Sequence, residues 1–208
     1  MPLDFAISAL VTLLVVVDPI GLVPTFLAVT EDLPLQARRT VALRAAIIAG
    51  GILIGSALLG DWLLRALGIS LPAFRIAGGL LLFTISFEML FGVRTRREGQ
   101  AAEQAVEEHA RNIAAFPLAI PLLAGPGAIT ATVLLAGRAG RDFLLIGILL
   151  AVVVFVAVAS FVCFAAAGRI GRLLGLTGNI VLSRLLGVLL AALAVQFVVD
   201  GVRAVMAG

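Results

Sequence analysis

The chain has 208 residues, 62% of them hydrophobic and 13% charged, with a mean hydropathy of +1.20. A soluble fold of this size has no use for so much apolar surface, whereas apolar runs of about twenty residues mark transmembrane helices. All 15 basic residues are arginine and the net charge is only +3; no basic patch with interleaved aromatics exists, which argues against nucleic acid as a partner.

Six apolar spans are predicted in chain order: 3–29, 41–66, 72–93, 112–137, 143–168 and 179–202. No basic n-region or small-residue cleavage site marks the first run, so it reads as a retained helix rather than a signal peptide. Short polar connectors fall at Glu31 to Pro34, Gly68 to Ser70, Gly137 to Asp142 and Gly168 to Gly178. A longer charged connector, 94–111, carries Glu98, Glu103, Glu107, Glu108 and His109 and divides the chain into a three-span segment 1–93 and a three-span segment 112–208. Cys163 lies inside an apolar run, where a small buried residue is its expected role. Gly51 and Gly55 are expected to let the second span pack closely against a neighbour, and Trp62 to sit at the outer membrane interface.

Arginine placement sets the predicted topology. Arg38, Arg39, Arg44, Arg94, Arg96, Arg97, Arg111, Arg169, Arg172 and Arg184 fall on one side, and Arg65, Arg75, Arg138, Arg141 and Arg203 on the other. The positive-inside bias then places the 94–111 linker in the cytoplasm and both termini outside.

The first and fourth spans are interrupted. Asp18-Pro19-Ile20-Gly21 stands in the middle of the first and Gly125-Pro126-Gly127 in the fourth, 107 positions apart from proline to proline. The same shift maps Arg65 and Gly68 onto Arg172 and Gly175, and a shift of 109 maps Arg75, Gly78 and Gly92 onto Arg184, Gly187 and Gly201. An odd number of spans per copy inverts the second copy in the membrane, and inverted repeats with broken first helices are a carrier signature. An acidic group at membrane depth costs about 2.5–3.5 kcal/mol on insertion scales and is usually kept for function.

Proline removes a helix donor, and Asp-Pro suits an N-cap followed by a first helical residue. The expected local arrangement breaks span 1 near Val17 and starts a half-helix at Pro19 that runs to Val29, with span 4 restarting at Pro126. The two helix N-termini would face each other near the midplane and favour an anion such as a carboxylate. Freed carbonyls and Asp18 would take an ammonium group, and Thr25, Thr130 and Thr132 would add hydroxyls. The predicted substrate-binding set is therefore Asp18, Pro19, Gly21, Thr25, Gly125, Pro126, Gly127 and Thr130. Asp18 also reads as a purely structural cap. Glu88 is either an interfacial partner of Arg94, Arg96 and Arg97 or a coupling group. Arg75 and Arg184 either snorkel or serve as gating and carboxylate-binding residues. Pro24, Pro117 and Pro121 read as kinks, and Asn179 and Gln196 as helix–helix hydrogen-bonding residues.

Asp18-Pro19-Ile20-Gly21-Leu22-Val23-Pro24, Leu123-Ala124-Gly125-Pro126-Gly127-Ala128-Ile129, Arg75-Ile76-Ala77-Gly78-Gly79 and the tail Ala194-Val195-Gln196-Phe197 to Asp200-Gly201 resemble the MarC family of bacterial inner-membrane proteins, which includes SnatA-type neutral amino-acid transporters. The resemblance spans nearly the whole chain. It implies an all-α fold of six transmembrane helices in the cytoplasmic membrane, a distant kinship with LysE-type exporters, and glycine- or alanine-like substrates. Members of the family commonly carry Asn at the Asp18 position, which implies that a carboxylate there is optional and favours the capping role.

The leading functional expectation is a secondary transporter of a small polar solute, coupled to a proton or sodium ion, with the bilayer as its environment and homo-oligomerisation open. A channel and a non-transporting scaffold are the alternatives. The chain lacks Gly-x-x-x-x-Gly-Lys, His-Glu-x-x-His and Gly-x-Ser-x-Gly motifs, so no enzyme, cofactor or metal is expected.

Overall fold

A computed structural model describes residues 2–31, 33–92, 114–140 and 142–207. The expected linker 94–111, with its arginines, glutamates and His109, and Arg141 lie outside the described residues. Every regular element among the described residues is helical: α1 (Pro2–Val17), α2 (Val23–Val29), α3 (Leu35–Ala66), α4 (Leu71–Phe91), the π-helical α5 (Ala114–Leu123), α6 (Pro126–Ala139), α7 (Phe143–Ala165) and α8 (Ala167–Ala207). Among these, α3, α4, α7 and the Thr177–Ala207 part of α8 are long and apolar enough to cross a membrane. The first apolar run is divided between α1 and α2, and the fourth between α5 and α6.

Local chemistry explains most boundaries. Ser70 caps α4 by accepting from the Ala73 N–H, and Asp142 caps α7 by accepting from Leu144 and Leu145. Gly92 closes α4 in the left-handed conformation at φ 72°. Within α5, Pro117 and Pro121 lack the N–H that an α-helical ladder requires, and the segment ends on an i to i−5 bond from Ala124 N–H to the Ala119 carbonyl.

Three expectations are corrected. The second half of the first span starts at Val23, not Pro19: Asp18 turns left-handed at φ 49°, residues 19–22 form a turn, and Pro24 occupies the first turn of α2, where its missing N–H costs nothing. The connector 168–178 is helical except at Gly175, whose φ of 60° kinks α8. The packing faces of α3 also differ from expectation. A Cβ on Gly51 or Gly55 would meet nothing, whereas one on Gly50 would touch Ala157 of α7 and one on Gly60 would enter Val133 of α6.

The closest packing is between α4 and α8, which run antiparallel. A Cβ at Gly79 would lie 2.7 Å from the Ala194 carbonyl, at Gly187 3.2 Å from the Ser86 carbonyl, and at Gly201 2.9 Å from the Pro72 carbonyl. Small residues thus bring the two backbones together where lipid offers no hydrophobic drive. At one end of this pair Arg138 of α6 donates to Asp200 at 2.7 Å and lies 4.6 Å over the Phe197 ring, while Gln196 donates to the other Asp200 oxygen. Gly201→Ala is expected to cost about 1–3 kcal/mol through overpacking. Gly51→Ala is expected to be neutral or stabilising by up to about 1 kcal/mol. Thermal unfolding of the two variants in detergent checks the contrast.

Candidate functional site

The buried side chains converge where α1 ends. Val17, Ala46, Ala49, Gly50, Leu53, Leu123, Val156, Ala157 and Ser160 surround a void of only about 10 Å³, at the middle of α3 and α7. The next residue, Asp18, is 3% exposed, and its neighbour Pro19 is buried. Asp18 lies out of helical conformation because Pro19 cannot donate to the preceding turn and because Asp tolerates the left-handed region better than a branched residue does.

The carboxylate is tied at both oxygens. Gly21 N–H donates to Oδ1 at 3.0 Å, and the Ser183 hydroxyl of α8 donates to Oδ2 at 3.3 Å. The backbone is also accounted for: Asp18 N–H bonds the Leu14 carbonyl, Leu22 N–H the Asp18 carbonyl, and Val23 N–H the Ile20 carbonyl. Asn179, buried and one turn before Ser183, reaches the Gly21 carbonyl with Nδ2 at 3.5 Å. Hydrogen bonds to a charged group contribute about 1.5–3 kcal/mol each. Two of them offset the insertion cost of about 2.5–3.5 kcal/mol. The turn and Ser183 together therefore supply hydrogen bonding of the same order as the cost of the charge.

Gly21 is dictated by this geometry. A Cβ there would stand 2.0 Å from Asp18 Oδ2, inside the carboxylate itself. The second break is close by but differently built. Gly125 precedes α6 in an extended conformation (φ −73°, ψ 171°), and Ile129 N–H bonds its carbonyl at 3.0 Å. The first turn of α6 meets the last turn of α1: a Cβ on Gly127 would lie 3.3 Å from Val16 Cγ1 and 2.4 Å from Ile85 Cδ1. The C-terminal end of α1, rather than the N-terminus of α2, therefore faces the N-terminus of α6.

The other sequence-predicted residues separate. Pro126 is exposed, Thr25 is buried in α2, and Thr130 packs its methyl where a Cβ on Gly78 would stand. Thr132 donates to the Ala128 carbonyl at 2.7 Å within its own helix. Arg75 lies beside Ile76 at the Gly201 level of α8, 18 residues and about 27 Å along the helix from Ser183. It does not join Asp18. Arg184 is exposed, and Glu88 is half-buried next to Met89, at the level of Gly187 and about one turn from Ser183. Ser183 has no sequence signal beyond its i+4 spacing from Asn179, and Thr12, 1% exposed, holds a hydroxyl without a hydrogen-bond partner among the described residues.

The model described as "MarC family integral membrane protein" matches residues 3–206. The chain is 40% identical to the UPF0056 membrane protein MJ1677 of Methanocaldococcus jannaschii, over 98% of each chain. It is 37% identical to a UPF0056 membrane protein of Aquifex aeolicus, over 95% of this chain and 92% of that one. It is 36% identical to the UPF0056 membrane protein YhcE of Escherichia coli, over 94% and 91%. No solved structure matches.

Gly21→Ala is expected to lower stability sharply, because its methyl and the Asp18 carboxylate cannot share the site. Adding Asp18→Ala should restore part of the loss, so a double-mutant cycle read by thermal unfolding should be strongly non-additive. Additive losses would contradict the contact.

Proposed function

Because the chain belongs to the MarC family of integral membrane proteins, we propose that it is a secondary carrier of a small polar solute, with neutral amino acids such as glycine or alanine as the substrate class. The observation that carries this reading is a carboxylate turned out of its helix in the bundle interior, 3% exposed, beside a second helix break. Asp18 and the Ser183 hydroxyl suit the ammonium end of a zwitterion. The N-terminus of α6, with no side-chain cap among the described residues and with its dipole, suits the carboxylate end. Ile85 and Val16 pack against Gly127 in the first turn of α6, so binding there would require them to give way.

Six spans in two inverted triplets are part of the same proposal. It is supported by antiparallel packing of α4 on α8, and by the contacts of α3 with α7 and of α1 with α6, which join each span of one half to its counterpart in the other. Inverted repeats of this kind rock about a central site to alternate access. On this reading Arg75, about 27 Å along α8 from Ser183, and Arg184, the residue that follows Ser183, act as gating residues, and Glu88 or Asp18 couples transport to a proton or sodium ion. The arginine bias supports placement in the cytoplasmic membrane with both termini outside. A carrier is proposed rather than an enzyme. The scaffold reading draws on the carboxylate's satisfied hydrogen bonds, which give Asp18 a purely structural use.

Counterflow of labelled glycine and alanine into proteoliposomes tests the proposal. Saturable exchange is expected in the wild type, with at least a tenfold loss in Asp18→Ala and a smaller loss in Ser183→Ala. Absence of exchange by folded, correctly inserted protein would return the scaffold reading to first place.

A further inference from the structure

Four of the chain's arginines gather at one end of the bundle, where α2 and α7 finish and α3 and α8 begin. Arg38, Arg39, Arg169 and Arg172 all line one cavity of about 560 Å³. Two of them are braced from behind by carbonyls. Arg38 Nε donates to Leu33 at 2.9 Å and its Nη2 to Glu31 at 2.7 Å, while Arg172 Nε donates to Gly168 at 3.0 Å. Carbonyl partners position a guanidinium without neutralising it, and no acidic residue is among the described residues that line the cavity. Apart from Gln36 and the backbone of Gly168, the rest of its wall is apolar, with Phe26 stacked on Phe164 at a centroid distance of 4.6 Å and an interplanar angle of 4°.

A second, smaller cavity of about 250 Å³ adjoins the first and shares Leu27, Gly168 and Arg172 with it. Its other lining residues include Ile20, Val23, Pro24, Ile170 and Leu174, which are apolar, and Asn179 at its inner end. Four guanidinium groups, with no acidic residue among the described lining residues, suit phosphate oxygens, which they bind in forked, charge-assisted geometry. The apolar cleft that opens from the basic cavity suits a hydrocarbon chain. A free anion would use only the first of these features.

We propose that this pair of cavities is a binding site for an anionic phospholipid, its phosphate headgroup among Arg38, Arg39, Arg169 and Arg172 and the start of an acyl chain in the cleft between α2 and the first part of α8. Basic pockets between transmembrane helices at the membrane surface bind such headgroups on general electrostatic grounds. The site requires only that this end of the bundle lie at a membrane surface, and does not depend on the transport reading. Its inner end is Asn179, the residue that reaches the Gly21 carbonyl, so an occupant would rest against the support of the Asp18 turn.

Native mass spectrometry of the full chain in detergent tests the proposal, with phosphatidylglycerol, phosphatidylcholine and inorganic phosphate as probes. Phosphatidylglycerol is expected to bind at least tenfold more tightly than phosphatidylcholine. Arg39→Gln with Arg169→Gln should abolish that preference, while Arg65→Gln with Arg203→Gln, an equal loss of charge elsewhere, should keep it. Gly171→Leu tests the cleft with every arginine in place, since a Cβ there already lies 3.2 Å from Leu27 Cδ1. It should weaken phosphatidylglycerol at least threefold. Equal binding of the two lipids, equal losses in the two double variants, or displacement of phosphatidylglycerol by millimolar inorganic phosphate would each overturn the assignment.

Discussion

A bilayer interior supplies no water to a broken helix, so each backbone group freed by a break must find its partner inside the protein. The Asp18 turn meets that demand with little material. Pro19 has no donor to satisfy, the Gly21 N–H is taken by the Asp18 side chain, and the Gly21 carbonyl is approached by Asn179 from α8. The carboxylate is thus a partner for the break as well as a charge in need of partners. Its second oxygen is held by Ser183, which ties the break between α1 and α2 to the final helix. Asn keeps a side-chain oxygen for the Gly21 N–H, which gives a physical basis for the Asn that the family resemblance implies at this position.

The second break solves the same problem without a charge. Gly125 takes an extended conformation, Pro126 starts α6 where no donor is needed, and α5 feeds into the break with π-type bonding. The two breaks are therefore related in sequence pattern and unlike in chemistry. One presents a carboxylate, and the other presents a helix N-terminus covered by Val16 and Ile85. That asymmetry matches the two ends of a zwitterion better than it matches a simple ion, and it is the physical basis of the proposed substrate class.

Glycine placement sets how the helices around this centre approach one another. Gly79, Gly187 and Gly201 let α4 and α8 touch backbone to backbone along their length, and Gly78 admits Thr130 from α6. The ends of the bundle differ in character. At one, Arg138, Asp200, Gln196 and Phe197 form a compact neutralised cluster. At the other, four arginines share a cavity with no described carboxylate among its lining residues. That cavity lining is consistent with a surface that faces anionic lipid.

Composition and a few residue pairs determined the membrane class, the helical fold and the places where the first and fourth apolar runs are interrupted. Those features rest on local covalent facts: a run of apolar residues, a proline without a donor, a glycine without a Cβ. What faces what was decided only in the tertiary structure. Gly51 and Gly55 point away from the bundle while Gly50 and Gly60 pack, Ser183 rather than a threonine meets Asp18, and Arg75 stands about 27 Å along α8 from Ser183. In a soluble helix an apolar stripe set against a polar face would have revealed the inward side. Here lipid and protein core are equally apolar, so the two faces of a helix read alike until its neighbours are in place.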